Sequence, residues 1–191
     1  MTDFVYLGNM NSKFQLGWGN TLSWKDFSLY FLINGRIGCK VVSLTVAYLD
    51  YQGVSKRVGD ARDYAAAHNL MWTSPDGSVT KPAMVMPDGN LAPIQEYYQA
   101  VGGNFMGSQY VYDATNFRLA ELSLGYTFRN LFGGVIRNLS LSVIGRNLFF
   151  IYKDAPVDPD IALSTKNGLG AFDIFNMPAT RSIGVNLKID F

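Results

Sequence analysis

The sequence predicts an all-β fold: an antiparallel up-and-down meander of about five long strands, laid out like a transmembrane β-barrel with long extracellular loops. Three observations carry this. Apolar and polar residues alternate with period two in five places, the signature of strands with two unlike faces. The connections between those strands run short, long, short, long. The lengths and the placement of aromatic residues fit the apolar band of a bilayer.

The first strand spans about residues 12–23. Phe14, Leu16, Trp18, Leu22 and Trp24 form one face, and Lys13, Gln15, Gly17, Gly19, Thr21 and Ser23 the other, with Asn20 the single break. After the short link Trp24 to Asp26, a second strand is expected over 27–46. Its apolar face is Phe27, Leu29, Phe31, Ile33 and Ile37. About 65 residues then separate it from the third strand, a span suited to an elaborate loop. Within that span, "GDARDYAAAHNL" and "APIQEYYQAV" are each expected to form a short helix, and neither reads as a domain of its own. "SPDG" and "MPDG" carry turn chemistry.

The third strand, about 115–129, sets Leu122, Leu124, Tyr126 and Phe128 against Glu121, Ser123, Gly125 and Thr127. "RNLFGGVIR" is a short connection. The fourth strand, about 138–151, sets Leu139, Leu141 and Val143 against Ser140 and Ser142. About 28 residues follow, including the turn-forming "DPD". The last strand, 181–191, has Ile183, Val185, Leu187, Ile189 and Phe191 on one face and Ser182, Asn186, Lys188 and Asp190 on the other. Its eleven residues rise about 36 Å. Tilted by about 45°, they cover roughly 25 Å, the height of the apolar band. Trp24, Phe27, Phe128, Phe132 and Phe191 bunch at the short-turn end, and Phe149, Phe150 and Tyr152 at the other, as interfacial girdles do. A soluble β-sandwich, for instance a glycan-binding module, also alternates and is the competing architecture. The apolar set is expected to share one face of one sheet, and the first and last strands to keep unpaired edges, because five strands do not close a barrel.

The chain has 191 residues, 14% of them aromatic, with 11 Tyr and 13 Phe. Its net charge of +1 offers no bulk attraction for nucleic acid. The single cysteine, Cys39, excludes an internal disulfide and a cysteine-based zinc cluster. No apolar run reaches the length of a transmembrane helix. The start "MTDFVYLGNMNSKF" lacks a basic region followed by an apolar one, so no signal peptide is read there.

Candidate chemistry is sparse. His68 is the only histidine, lies in the long connection and has no nucleophile elbow to serve. Asp154, Asp158 and Asp160 lack calcium-loop spacing and read as turn formers. "GLGAFD" has no strand–helix context for a phosphate loop. Asn138-Leu139-Ser140 matches a glycosylation sequon by chance at a turn-to-strand junction. No catalytic residue, cofactor or metal ligand is assigned. Tyr30, Arg36, Glu121 and Arg146 have the parity of polar, lumen-facing positions. Tyr97, Tyr98, Tyr110 and Tyr112 are the loop aromatics suited either to stacking on sugar rings or to packing the loop, with packing preferred.

Taken together and in order, "WKDFSLYFLINGRIGCKVVSLTVAYLDYQGVSKRVGDAR", "YYQAVGG", "VYDATNFRLAELSLGYTF", "LSLSVIGRNLFFIYKDAPVDPD" and "MPATRSIGVNLKIDF" resemble the C-terminal end of SusC/RagA-type TonB-linked outer-membrane transporters. Val46, Cys39 and Ala120 depart from the family's acidic, glycine and arginine residues. The resemblance implies the C-terminal part of a plugged barrel of about 22 strands, in the outer membrane of a Gram-negative bacterium. It implies import of oligosaccharides or peptides rather than catalysis. The partners it implies are a SusD-type surface lipoprotein over the mouth, TonB, the outer-membrane assembly machinery and the lipid bilayer. With no plug, TonB box or signal in view, the chain is expected to be a fragment or truncated reading frame, with Met1 an internal methionine. Ile183, Val185, Leu187, Ile189 and Phe191 then resemble the terminal signal read during barrel assembly, which pairs by strand addition.

Overall fold

The computed structural model describes residues 6–103, 107–131, 136–160 and 170–190. In chain order the elements begin with β1 (Phe14–Trp24), β2 (Phe27–Ile37), β3 (Lys40–Ser43), α1 (Leu44–Tyr51) and α2 (Lys56–Ala67). Three short strands follow, β4 (Met71–Thr73), β5 (Thr80–Val85) and β6 (Leu91–Pro93), then α3 (Ile94–Gly103) and a 3-10 turn at Gly107–Tyr110. The chain continues through β7 (Val111–Asp113), β8 (Asn116–Leu131), β9 (Ile136–Lys153), β10 (Phe172–Asp173) and β11 (Ser182–Asp190). They fall into two compact units. One comprises Met1–Val41, Tyr112–Ala171 and Asn176–Phe191, the other Val42–Val111 and Phe172–Phe175.

The first unit is a single antiparallel sheet in the order β1-β2-β8-β9-β11, so that chain neighbours among these five strands pair with one another. Residues directly opposite in such a ladder share a face. One row across all five strands reads Leu22, Leu29, Leu124, Val143 and Val185, and the next Trp24, Phe27, Tyr126, Leu141 and Leu187. A third row extends from Phe128 through Leu139 to Ile189. This apolar face is exposed; Leu124, on the central strand, keeps 55% of its surface open. A sandwich would bury these side chains against a second sheet, and they are not buried. Strands β1 and β11 are the sheet's two edges.

The β1–β2 turn is tight. Lys25 takes φ 55° and lays its ammonium 5.0 Å from the centre of the Trp24 ring. Asp26 accepts an ion pair from Arg129 at 2.8 Å.

The second strand, expected over 27–46, stops at Ile37. Gly38 turns the chain with φ 76°. Beyond it, Ser43 caps a helix rather than extending a strand, its hydroxyl accepting from the Val46 amide at 3.2 Å. Val41 and Val42 keep their extended preference in the short strand β3, and the Ser43 cap ends it.

The long connection, expected to be a loop with two short helices and no domain of its own, makes up most of the second compact unit. Val58, Ala65, Ile94 and Tyr98 form its core, with Leu70 and Met84 packed against them. Helices α2 and α3 overlap the two helical stretches the sequence marks, each shifted by two or three residues, and α1 adds a third. Asp50 is fully buried on α1, where it accepts from the hydroxyls of Ser55 at 2.5 Å and Tyr110 at 3.0 Å and pairs with Arg57. No helix among the described residues is long and apolar enough to cross a membrane.

Helices α1 and α3 meet at Gly102. A Cβ there would stand 2.5 Å from the Ala47 carbonyl oxygen and 2.9 Å from the Tyr51 amide nitrogen, both backbone atoms that cannot swing aside. Gly102→Ala is therefore expected to destabilise the protein by about 1–3 kcal/mol despite alanine's better helix propensity. Chemical denaturation followed by far-UV circular dichroism measures this; an unchanged or higher midpoint would contradict the close approach.

Candidate functional site

The face opposite the apolar one is polar or small along almost every row. Ser23, Ser28, Gly125, Ser142 and Asn186 stand side by side, and Thr21, Tyr30, Ser123, Ile144 and Gly184 form the adjacent row. Ile144 is the exception in these two rows. Glu121 and Arg146 lie directly opposite each other and pair at 3.2 Å. Thr127 and Ser140 exchange a hydroxyl hydrogen bond at 3.0 Å. All four positions selected by parity, Tyr30, Arg36, Glu121 and Arg146, therefore lie on one polar face.

At the end of this face remote from the β1–β2 turn, the structure assembles an ionic cluster that parity did not find. Arg118 pairs with Asp158 at 2.8 Å and with Asp160 at 3.2 Å, and its guanidinium stacks 4.2 Å from the centre of the Phe150 ring. The Asn116 amide donates to Asp160 at 3.2 Å and to the Ala114 carbonyl at 3.0 Å. Asp158 also accepts from the backbone amides of Asp160 and Ala179, each at 3.1 Å. Arg36 reaches Asp160 at 3.5 Å. Arg118 and Asp158 side chains are only 10% and 7% exposed, so their charges are compensated inside protein rather than by water.

The cluster forms because β8 breaks its alternation. The ladders shift around Ala120, so Ile33 faces Leu119 while Leu32 faces Glu121. One extra residue turns Arg118 and Asn116 onto the same face as Glu121. Strict parity would send Arg118 to the apolar side. Asp158 and Asp160, read as turn formers, anchor the connection after β9 to this face, and among the described residues no acidic cluster is arranged to hold a metal.

The loop aromatics divide. Tyr98 and Tyr110 are buried, Tyr110 completely, so neither offers a ring face to a solute. Tyr97 is partly buried against the second unit's core and accepts from Gln109 at 3.3 Å, while Tyr112 packs beside Cys39, Val41, Ala114 and Ala155. Burial pushes the Cys39 thiol and the Tyr98 phenol above their ordinary pKa values. In the "SPDG" turn, the Ser74 hydroxyl and then Ser78 hold the Asp76 carboxyl down to about 2, which marks a tight hydrogen-bonded turn. His68 stacks on Tyr64 at 4.0 Å and its Nδ1 lies 2.9 Å from the Tyr64 carbonyl oxygen, which engages it with its own helix.

The apolar face carries an aromatic band at its turn end: Trp24 on Phe27 at 6.4 Å, Phe27 on Tyr126 at 4.6 Å and Tyr126 on Phe128 at 4.6 Å. Ile183, Val185, Leu187 and Ile189 continue the apolar rows on the edge strand, in register with Gly145, Val143, Leu141 and Leu139. Phe132 and Phe191 lie outside the described residues, as do Gly168 and Leu169 of "GLGAFD".

No family model matches this chain, and no curated protein does. Solved structures do. The chain is similar to a structure of the RagAB peptide transporter with TM-score 0.59 and 19% identity, over 94% of this chain and 17% of that one. It is similar to the RagAB peptide importer in the open-open state (0.57, 19%, 93% and 17%) and in the closed-closed state (0.56, 20%, 92% and 16%). The likeness is one of fold, and this chain spans about a sixth of the length of those it matches.

Proposed function

We propose that this chain forms part of the barrel of an outer-membrane, TonB-dependent transporter of the SusC/RagA type that imports peptides or oligosaccharides. The observation that carries the reading is the pair of faces. A continuous exposed apolar face suits lipid, and the polar face behind it suits a lumen. The aromatic band at the turn end is placed as an interfacial girdle. The fold likeness to peptide transporter structures supports transport over catalysis and gives peptides the first claim as cargo. Tyr30, Arg36, Glu121 and Arg146 then line the lumen. The second unit belongs with the long loops outside the cell, where a SusD-type lipoprotein would sit. Ile183, Val185, Leu187, Ile189 and Phe191 serve barrel assembly by pairing an exposed edge.

Cells making the complete transporter should accumulate labelled oligopeptide, and collapsing the inner-membrane proton gradient should reduce that uptake to the level of cells without the transporter. Uptake that survives gradient collapse would rule out TonB-driven import.

A further inference from the structure

We propose that Arg36 and the open cleft beside it bind a solute carboxylate, and that Asp160 is the internal group this carboxylate displaces. Arg36 lines a cleft of about 660 Å³ together with Gln15, Asn34, Asn116 and Asp160. That volume accommodates a small organic acid or the end of a peptide. The two guanidinium groups of the cluster are unequally served. Arg118 is held by Asp158, Asp160 and the Phe150 ring at short range. Arg36 makes two contacts through Nη1, to Asp160 and to the Pro159 carbonyl oxygen, both at 3.5 Å. Its Nε is buried and has no partner among the described residues. A guanidinium offers Nε and a terminal nitrogen as a parallel fork that matches a carboxylate. On Arg36 the Nε side of that fork has no acceptor among the described residues and is closed to solvent, so a solute acid engages the terminal nitrogen that contacts Asp160, which is the group it displaces.

Asp160 gives way at little cost. Released from Arg36, its carboxylate keeps the Arg118 ion pair at 3.2 Å and the Asn116 amide at 3.2 Å. The long, one-third exposed Arg36–Asp160 contact is the weakest of the set. The amide side chains of Gln15 and Asn34 flank the same cleft and can donate to the second edge of an incoming acid. The inference stands on this geometry and does not depend on the transport reading.

The full chain in detergent, with labelled arginine, is titrated with N-acetylglycine and, in parallel, with the neutral N-acetylglycinamide. The acid should shift the Arg36 Nε–H resonance along a saturable curve, and the amide should not. Asp160→Asn removes the competing charge while keeping a hydrogen-bonding side chain, so it should tighten binding about two- to fivefold, the worth of an exposed ion pair. Arg36→Gln should weaken it about tenfold or more, with Arg36→Lys intermediate. Equal responses to acid and amide would overturn the proposal. So would an Asp160→Asn affinity equal to or below that of the parent, a result that does not depend on the stability of any Arg36 variant.

Discussion

Replacing Leu124 by arginine is expected to lower the partition of the chain from detergent-free solution into phospholipid vesicles by about 30- to 700-fold. The estimate follows from roughly 2–4 kcal/mol for an arginine near mid-bilayer on a lipid-facing strand position, at about 1.4 kcal/mol per factor of ten. Leu124 is the position for this test because its row, Leu22, Leu29, Leu124, Val143 and Val185, crosses the whole sheet. It also lies on the central strand, flanked on both sides, so an arginine there has little room to reach a sheet edge. Ser123→Arg is the matched control. Ser123 lies on the opposite face, one row from Glu121, and a cation there should leave partition within a few-fold of the parent. Vesicle flotation measures both. Equal losses in the two variants would mean that the faces are not distinguished by lipid, and the reading of the apolar rows as a membrane surface would fall.

Period two placed the faces because register in an antiparallel ladder transmits one strand's alternation to the next. Once Leu124 pairs with Leu29 and Val143, the apolar set is committed to one side, and Tyr30, Glu121 and Arg146 follow on the other. The same regularity conceals what breaks it. Ala120 is an inconspicuous residue, yet the shift beside it decides where Arg118 and Asn116 point. The visible signal was indirect: an arginine at an apolar parity position, in a chain with two later aspartates needing partners. The second unit was harder to read for another reason. Its core is made of a few aliphatic residues and one tyrosine, Val58, Ala65, Ile94 and Tyr98, drawn from segments about thirty residues apart. Its polar centre, Asp50 with Ser55, Arg57 and Tyr110, exists only once α1 forms. No local pattern announces that Tyr110 will be spent on a buried carboxylate.

The cluster around Arg118 should be the point at which a single substitution costs the first unit most. Arg118→Met removes the cation from Asp158, whose side chain is 7% exposed, and leaves Asp160 with the distant Arg36 and the Asn116 amide. Breaking a buried pair from one side costs about 3–5 kcal/mol, because the remaining charge has lost both water and partner. At a denaturant slope of about 2 kcal/mol per molar urea, the unfolding midpoint should fall by roughly 1.5–2.5 M. Arg118→Lys keeps the charge but not the fork or the guanidinium's contact over the Phe150 ring, and should fall between Met and the parent. The double variant Arg118→Met, Asp158→Asn should recover part of the loss, since it no longer strands a buried carboxylate, while Asp158 still accepts from the Ala179 amide in the single variant. Lys56→Ala supplies the comparison: its pair with Asp60 is exposed on a helix surface and should contribute less than about 1 kcal/mol. A midpoint for Arg118→Met no lower than that of Lys56→Ala would show that water, rather than Arg118, compensates Asp158. The connection after β9 would then not be held to the polar face by charge.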